Sequence, residues 1–150
     1  MRPTRRGIGA VVLLVATVAM AVQFGSRQLG AIVIPVVVVC LGAVIQIALT
    51  GRPAVERVVP DAGHIGETKP VRLRFDVSSP VAARVVDETP AAVGATGDVF
   101  DTTIGDDVLE YDVEYLARGE HELGPLTVTV TDVLALAERT YTYSMYDSVL

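Results

Sequence analysis

Few residues in this chain are spaced for chemistry. His64 and His121 are the only histidines. His121 stands between Glu120 and Glu122, and an imidazole with two carboxylates is a donor set for a divalent metal. On a strand, however, residues i and i+2 share a face, so the two glutamates would oppose the histidine across the sheet. No metal site is therefore expected. Asp98, Asp101, Asp106 and Asp107 gather in loops without the alternating ligand spacing of a calcium loop, and read as solvated acidic surface. No nucleophile elbow surrounds a serine, and no glycine-rich phosphate loop opens a helix. Cys40, the single cysteine, lies within a long apolar run, which excludes an intrachain disulfide and a thiolate site. No catalytic residue and no cofactor are expected, and the chain does not read as an enzyme.

The segment from Arg118 to Pro125 is the most distinctive polar stretch. Gly119 and Gly124 permit tight turns, Pro125 suits the start of a strand, and the Arg118 guanidinium can fork onto carbonyls or a carboxylate across the turn. Arg118, Gly119, His121, Gly124 and Pro125 are thus the candidate residues, with a structural turn as the expectation and partner contact as the alternative. Tyr115, just before them, suits a hydrogen bond to a neighbouring loop in the manner of a tyrosine corner.

The elements that must position these residues are strands. Val71, Leu73, Phe75 and Val77 alternate with charged residues, as do Leu109, Tyr111, Val113 and Tyr115. Leu126, Val128 and Val130 alternate with threonines, and Tyr141, Tyr143 and Met145 with Thr142 and Ser144. Further strands are expected near 55–59, 81–86 and 99–104. Between them stand turn residues: Asp61-Ala62-Gly63, Gly66, Ser78-Ser79-Pro80, Pro90, Gly94 to Gly97, Gly105-Asp106-Asp107, Gly119 and Gly124-Pro125. About seven short strands, polar on one face and apolar on the other, predict an immunoglobulin-like antiparallel β-sandwich over 55–150.

The N-terminal third reads differently. Residues 8–24 and 31–49 carry no Lys, Arg, Asp or Glu, and at about 1.5 Å per residue each approaches the apolar thickness of a bilayer, about 30 Å. They predict a transmembrane helical hairpin, with Pro35 in the first turn of the second helix, where its missing N–H breaks no bond. The predicted fold class is thus a membrane α-hairpin plus an all-β domain. Residues 1–7 form the N-terminal flank and 50–54 a short linker. Arg2, Arg5 and Arg6 before the first run and Arg52 and Arg57 after the second, against Arg27 between them, place both termini in the cytoplasm of a multi-pass membrane protein. The rival is a signal peptide, since Ala19-Met20-Ala21 has the small-x-small pattern of a cleavage site.

Charge is divided unevenly. Residues 1–57 are net +5 and residues 58–150 net −11. So acidic a domain is repelled by nucleic acid and by anionic lipid headgroups, leaving the bilayer core and other proteins as expected partners. Lys69 is the only lysine; such acidity with so few lysines suits a halophilic, high-salt cytoplasm, where screening tolerates dense like charge. GC-rich coding, which favours arginine over lysine, is the alternative.

Several segments together resemble a known family. Arg57, Gly66-Glu67 with the strand 71–77, Asp87-Glu88-Thr89-Pro90, and above all RGEHELGPLTVTVTD from Arg118 to Asp132 are similar to the membrane proteins of the "domain of unknown function 58" family. The resemblance implies two membrane helices followed by an immunoglobulin-like β region, and a MoxR-type AAA+ ATPase as a partner. The chain departs from that pattern after Asp132, where Val133-Leu134-Ala135-Leu136 replaces Pro-hydrophobic-Gly-Leu. The larger part similar to a von Willebrand factor A domain is absent from this sequence, so its activity does not carry over. The expected function is a tethering or protein-interaction module. The alternatives are the anchor half of a larger assembly and an exported surface domain. Oligomeric state is left open by the sequence.

Overall fold

Thr4 sets where the first helix begins. Its carbonyl accepts the Ile8 N–H at 2.9 Å, the first bond of the helical ladder, and its hydroxyl oxygen accepts the Gly7 N–H at 3.1 Å, which satisfies one of the amides a helix start leaves unpaired. Helix α1 therefore runs Arg5–Phe24, opening before the apolar run does. Helix α2 spans Arg27–Leu49 and holds Pro35 in its interior. That corrects the expected placement of Pro35 in a first turn: within the helix it supplies no N–H to the carbonyl four residues earlier.

The chain is described here by a computed structural model covering residues 2–24 and 27–149. Gly25 and Ser26, part of the expected polar connection, and Leu150, the end of the expected β domain, lie outside the described residues. Two compact units are present. The first joins Met1–Thr50 to Thr131–Arg139, and the second joins Gly51–Val130 to Thr140–Leu150.

Among the described residues no helix is long and apolar enough to cross a membrane. This overturns the transmembrane hairpin of the expected fold class and the multi-pass membrane localisation with both termini in the cytoplasm. Within α1 and α2 the stretches described without a break are 5–20 and 33–49, about 24 and 26 Å at 1.5 Å per residue, short of an apolar core of about 30 Å. The first of these stretches also opens on two arginines.

The first unit is closed by a short loop. Strand β1 (Arg2–Pro3) pairs antiparallel with the start of the strand Ala137–Tyr143, Arg2 opposite Glu138 and Pro3 opposite Ala137. In the loop between, one oxygen of the buried Asp132 carboxylate accepts the N–H groups of Leu136 and Ala137 at 2.7 and 2.6 Å, and the other accepts that of Leu134 at 2.9 Å. Ala135 is thereby held at φ 55°. The Thr4 N–H donates to the Leu136 carbonyl at 3.0 Å, and the Thr4 hydroxyl donates to that of Ala135. Gly7 is required by this approach, because a Cβ there would stand 2.0 Å from the Leu136 carbonyl oxygen.

The second unit realises the alternation of its sequence. Strands β2 (Ala54–Val58), β3 (Thr68–Asp76), β4 (Val81–Asp87), β5 (Val93–Thr96), β6 (Val99–Ile104), β7 (Val108–Tyr115), β8 (His121–Leu123), β9 (Leu126–Thr131), β10 (Ala137–Tyr143) and β11 (Asp147–Val149) follow in chain order. One sheet has the order β2-β3-β7-β5. A second contains β10-β9-β4-β6, and β8 pairs with β11. Val71, Leu73 and Phe75 on β3 are fully buried, as are Val113 on β7, Val85 on β4, Ile104 on β6, and Leu126 and Val128 on β9. Arg72, Arg74 and Asp76 face outward between them. The rings of Phe100 on β6 and Tyr111 on β7 meet edge to face at 6.3 Å, so the two sheets pack face to face as a mostly antiparallel β-sandwich. β10 begins at Ala137, four residues ahead of the expected Tyr141. β5, β8 and β11 were not expected as strands.

Candidate functional site

The polar groups of the β-sandwich divide between a buried cluster and an open cleft. Arg57, near the end of β2, points into the core, where its side chain is fully buried. Its guanidinium grips Asp87 at the end of β4 with two parallel bonds. Nε donates to Oδ2 at 3.1 Å, and Nη2 donates to Oδ1. Nη2 also donates to the Gly124 carbonyl at 2.9 Å, and Nη1 to the Met145 carbonyl at 3.2 Å and to the Asp147 carboxylate at 3.4 Å. All five guanidinium hydrogens are thus directed at an acceptor. The Tyr111 hydroxyl donates to the same Asp87 carboxylate at 2.8 Å.

Burial pushes the Asp87 carboxyl up, while Arg57 and then Tyr111 pull against it. Burial, reinforced by the Asp87 charge, pushes the Tyr111 phenol up as well. Among the described residues no buried polar side-chain atom lacks a partner. A cluster with every donor and acceptor committed fastens β2, β4, β7, the β8–β9 turn and the start of β11 to one another. It leaves no group to attack, ligate or transfer a proton.

The cleft, of about 470 Å³, opens where the β2–β3 loop meets the β7–β8 turn. Gly63, His64 and Ile65 form one wall, Ala117, Arg118 and Gly119 the other, with Tyr115 between. Tyr115 is 2% exposed; its hydroxyl donates to the Asp61 carbonyl at 3.4 Å, and its carbonyl accepts the Gly66 N–H at 2.8 Å. This is the loop contact expected for Tyr115. Gly63 lies so close to the ring that a Cβ would approach Tyr115 Cε2 to 2.6 Å. The Glu67 carboxylate accepts the His64 N–H at 2.9 Å and faces Lys69 at 3.5 Å. The His64 N–H, and after it Lys69, hold the Glu67 carboxyl below its usual range.

The five candidate residues fall in two places. Arg118 and Gly119 line the cleft, and Gly119 adopts φ +114°, which only glycine takes readily. Arg118 is exposed, and among the described residues no hydrogen bond or ion pair engages its guanidinium, so it does not fork across the turn. His121 begins β8, with a ring nitrogen 3.2 Å from the Ala117 carbonyl; it steadies the turn from outside the cleft. Glu122 is exposed on the opposite face of the strand, and among the described residues no group of three or more His, Cys, Asp or Glu is placed to hold a metal ion.

Gly124 and Pro125 belong to the buried cluster. The Gly124 N–H donates to the Glu88 carbonyl at 2.7 Å, and a Cβ on Gly124 would stand 2.8 Å from that oxygen. The Glu88 N–H donates to the Pro125 carbonyl at 3.4 Å. Sequence reasoning singled out Arg57 and Asp87 as separate segments and missed that they meet. His64 was weighed only as one of two histidines, and nothing in its local sequence marks it as a neighbour of Arg118.

No family model matches the chain, and no curated protein does. Among solved structures it is similar to the PKD domain of an M14-like peptidase from Thermoplasmatales archaeon SCGC AB-540-F20, with 13% identity and a TM-score of 0.36 over 65% of this chain and 96% of that one.

Proposed function

We propose that this chain is a protein-interaction module with no catalytic centre of its own. The single observation that carries the reading is the division of its polar groups: those that are buried are spent on one another, whereas Arg118 and His64 stand exposed in an open cleft. An arginine among aromatic and apolar neighbours is a common anchor of protein interfaces. The helical hairpin supports the same reading, because residues such as Val12, Leu13, Val15, Val22 and Leu49 are each more than half exposed, and an apolar surface of that extent marks a contact face. The resemblance to the "domain of unknown function 58" family, which includes the cleft residues Arg118 and Gly119, implies a MoxR-type AAA+ ATPase as the partner class.

The test is affinity capture with the whole chain in high salt, followed by reconstitution of the complex from the purified partner. The Arg118→Ala variant, shown by circular dichroism to be folded, should bind that partner at least tenfold more weakly, the loss of about 1.4 kcal/mol typical of a contributing interface residue. A chain that retains no protein specifically, or binds one equally well with and without Arg118, contradicts the proposal.

A further inference from the structure

The cleft has a chemistry more specific than contact. Its two polar side chains, Arg118 and His64, are both donors in character, and both are exposed. Among the described residues no ion pair engages Arg118, which lies in a region whose net charge is −11. The Glu67 carboxylate beside the His64 wall is already committed to the His64 N–H and to Lys69. The remaining lining is Tyr115, which is 2% exposed, Ile65, which is 55% exposed, and Ala117, with Gly63 and Gly119 at two corners. A ligand that fits must bring one negative charge and an apolar body.

We infer that the cleft between the β2–β3 loop and the β7–β8 turn takes a carboxylate of an extended peptide segment, an acidic side chain flanked by apolar residues, with Arg118 as its bidentate partner and His64 beside it. A planar fork of N–H groups matches a carboxylate. One arginine balances a single charge, whereas a phosphate carries nearly two and is usually met by several cations or backbone amides. A cleft of about 470 Å³ falls within the size range of small ligand sites and holds a few side chains rather than a folded surface.

This inference rests on the interaction reading, and the two fail in different ways. The experiment is a backbone-amide NMR titration of the whole chain with N-acetyl-Leu-Glu-Leu amide, set against the same peptide carrying Gln for Glu and against inorganic phosphate. The Glu peptide should shift the amides of His64, Gly66, Ala117 and Gly119 with saturation near a few millimolar, on the order of a single charge-assisted pair. The Gln peptide and the R118Q variant should each bind about tenfold more weakly. The H64Q variant, which keeps the cation, should lose less.

Absence of shifts at those amides at about 10 mM peptide, a concentration that would saturate a millimolar site, overturns the inference. Equal response to the Gln peptide, or response to phosphate alone, does the same. If the peptide binds as described but no protein partner survives reconstitution, the interaction reading fails and the carboxylate site stands. If the peptide gives no shifts while a partner still loses affinity on loss of Arg118, only the carboxylate site is lost.

Discussion

Asp87 is held by two side chains of unequal weight, and the difference is measurable. Arg57 supplies a buried charge and Tyr111 a neutral hydroxyl. Removing Asp87 strands a fully enclosed guanidinium, so Asp87→Ala should cost about 3–5 kcal/mol of unfolding free energy. Tyr111→Phe removes one bond to a charged acceptor and leaves the ion pair intact, which corresponds to about 1.5–3 kcal/mol. Urea denaturation of the two variants checks the order. Equal losses would mean that the ion pair contributes no more than the phenol. At this scale the sequence shows residue types and leaves their pairing hidden. Arg57 and Asp87 stand 30 positions apart, and no local spacing distinguishes that arginine from exposed Arg72 or Arg74.

Elements were legible where alternation ran for six residues or more. β3, β4, β6, β7 and β9 lie within a few residues of their expected places, because an apolar face on a half-buried strand must recur every second residue. The short strands were not legible. β8 and β11 hold three residues each and exist through pairing with one another, His121 opposite Val149 and Leu123 opposite Asp147. β5 contains Gly94, which reads as a turn; only Gly97, at φ +87°, has the backbone of one. The loop between β9 and β10 carries a test of local conformation. Ala135 sits at φ 55° in the place where the resembled family pattern has glycine, and a left-handed residue with a Cβ costs roughly 1 kcal/mol. Ala135→Gly should therefore raise the midpoint of thermal unfolding, with a gain of about 0.5–1 kcal/mol set against the greater freedom of glycine in the unfolded chain. A fall in the midpoint would show that the loop does not strain Ala135.

At the scale of the whole molecule, titration of the core ties structure to solution behaviour. Burial raises the phenols of Tyr111, Tyr115 and Tyr143 above their ordinary value of about 10. A folded group that keeps its proton where the unfolded chain releases it contributes stability that is complete below pH about 10 and is lost as pH rises beyond it. Stability should fall steeply in that range, with Tyr111 alone contributing up to about 1.4 kcal/mol per pH unit. Denaturation midpoints between pH 8 and 11, with Tyr111→Phe showing a shallower decline, would check this. A profile unchanged across that range would mean that the phenols reach solvent.

The sequence by itself determined that the second unit is built of antiparallel strands with an acidic exterior, because face-to-face burial imposes a two-residue period that composition cannot conceal. It also marked the turn at Arg118 and Gly119. Only the tertiary structure decided what those residues neighbour. Arg57, Asp87 and Gly124 close on one another inside the sandwich, while His64 and Arg118 line two walls of one open cleft. Both outcomes depend on contacts between distant segments, and no one-dimensional pattern records which side chains the folding of two sheets will bring within 3 Å.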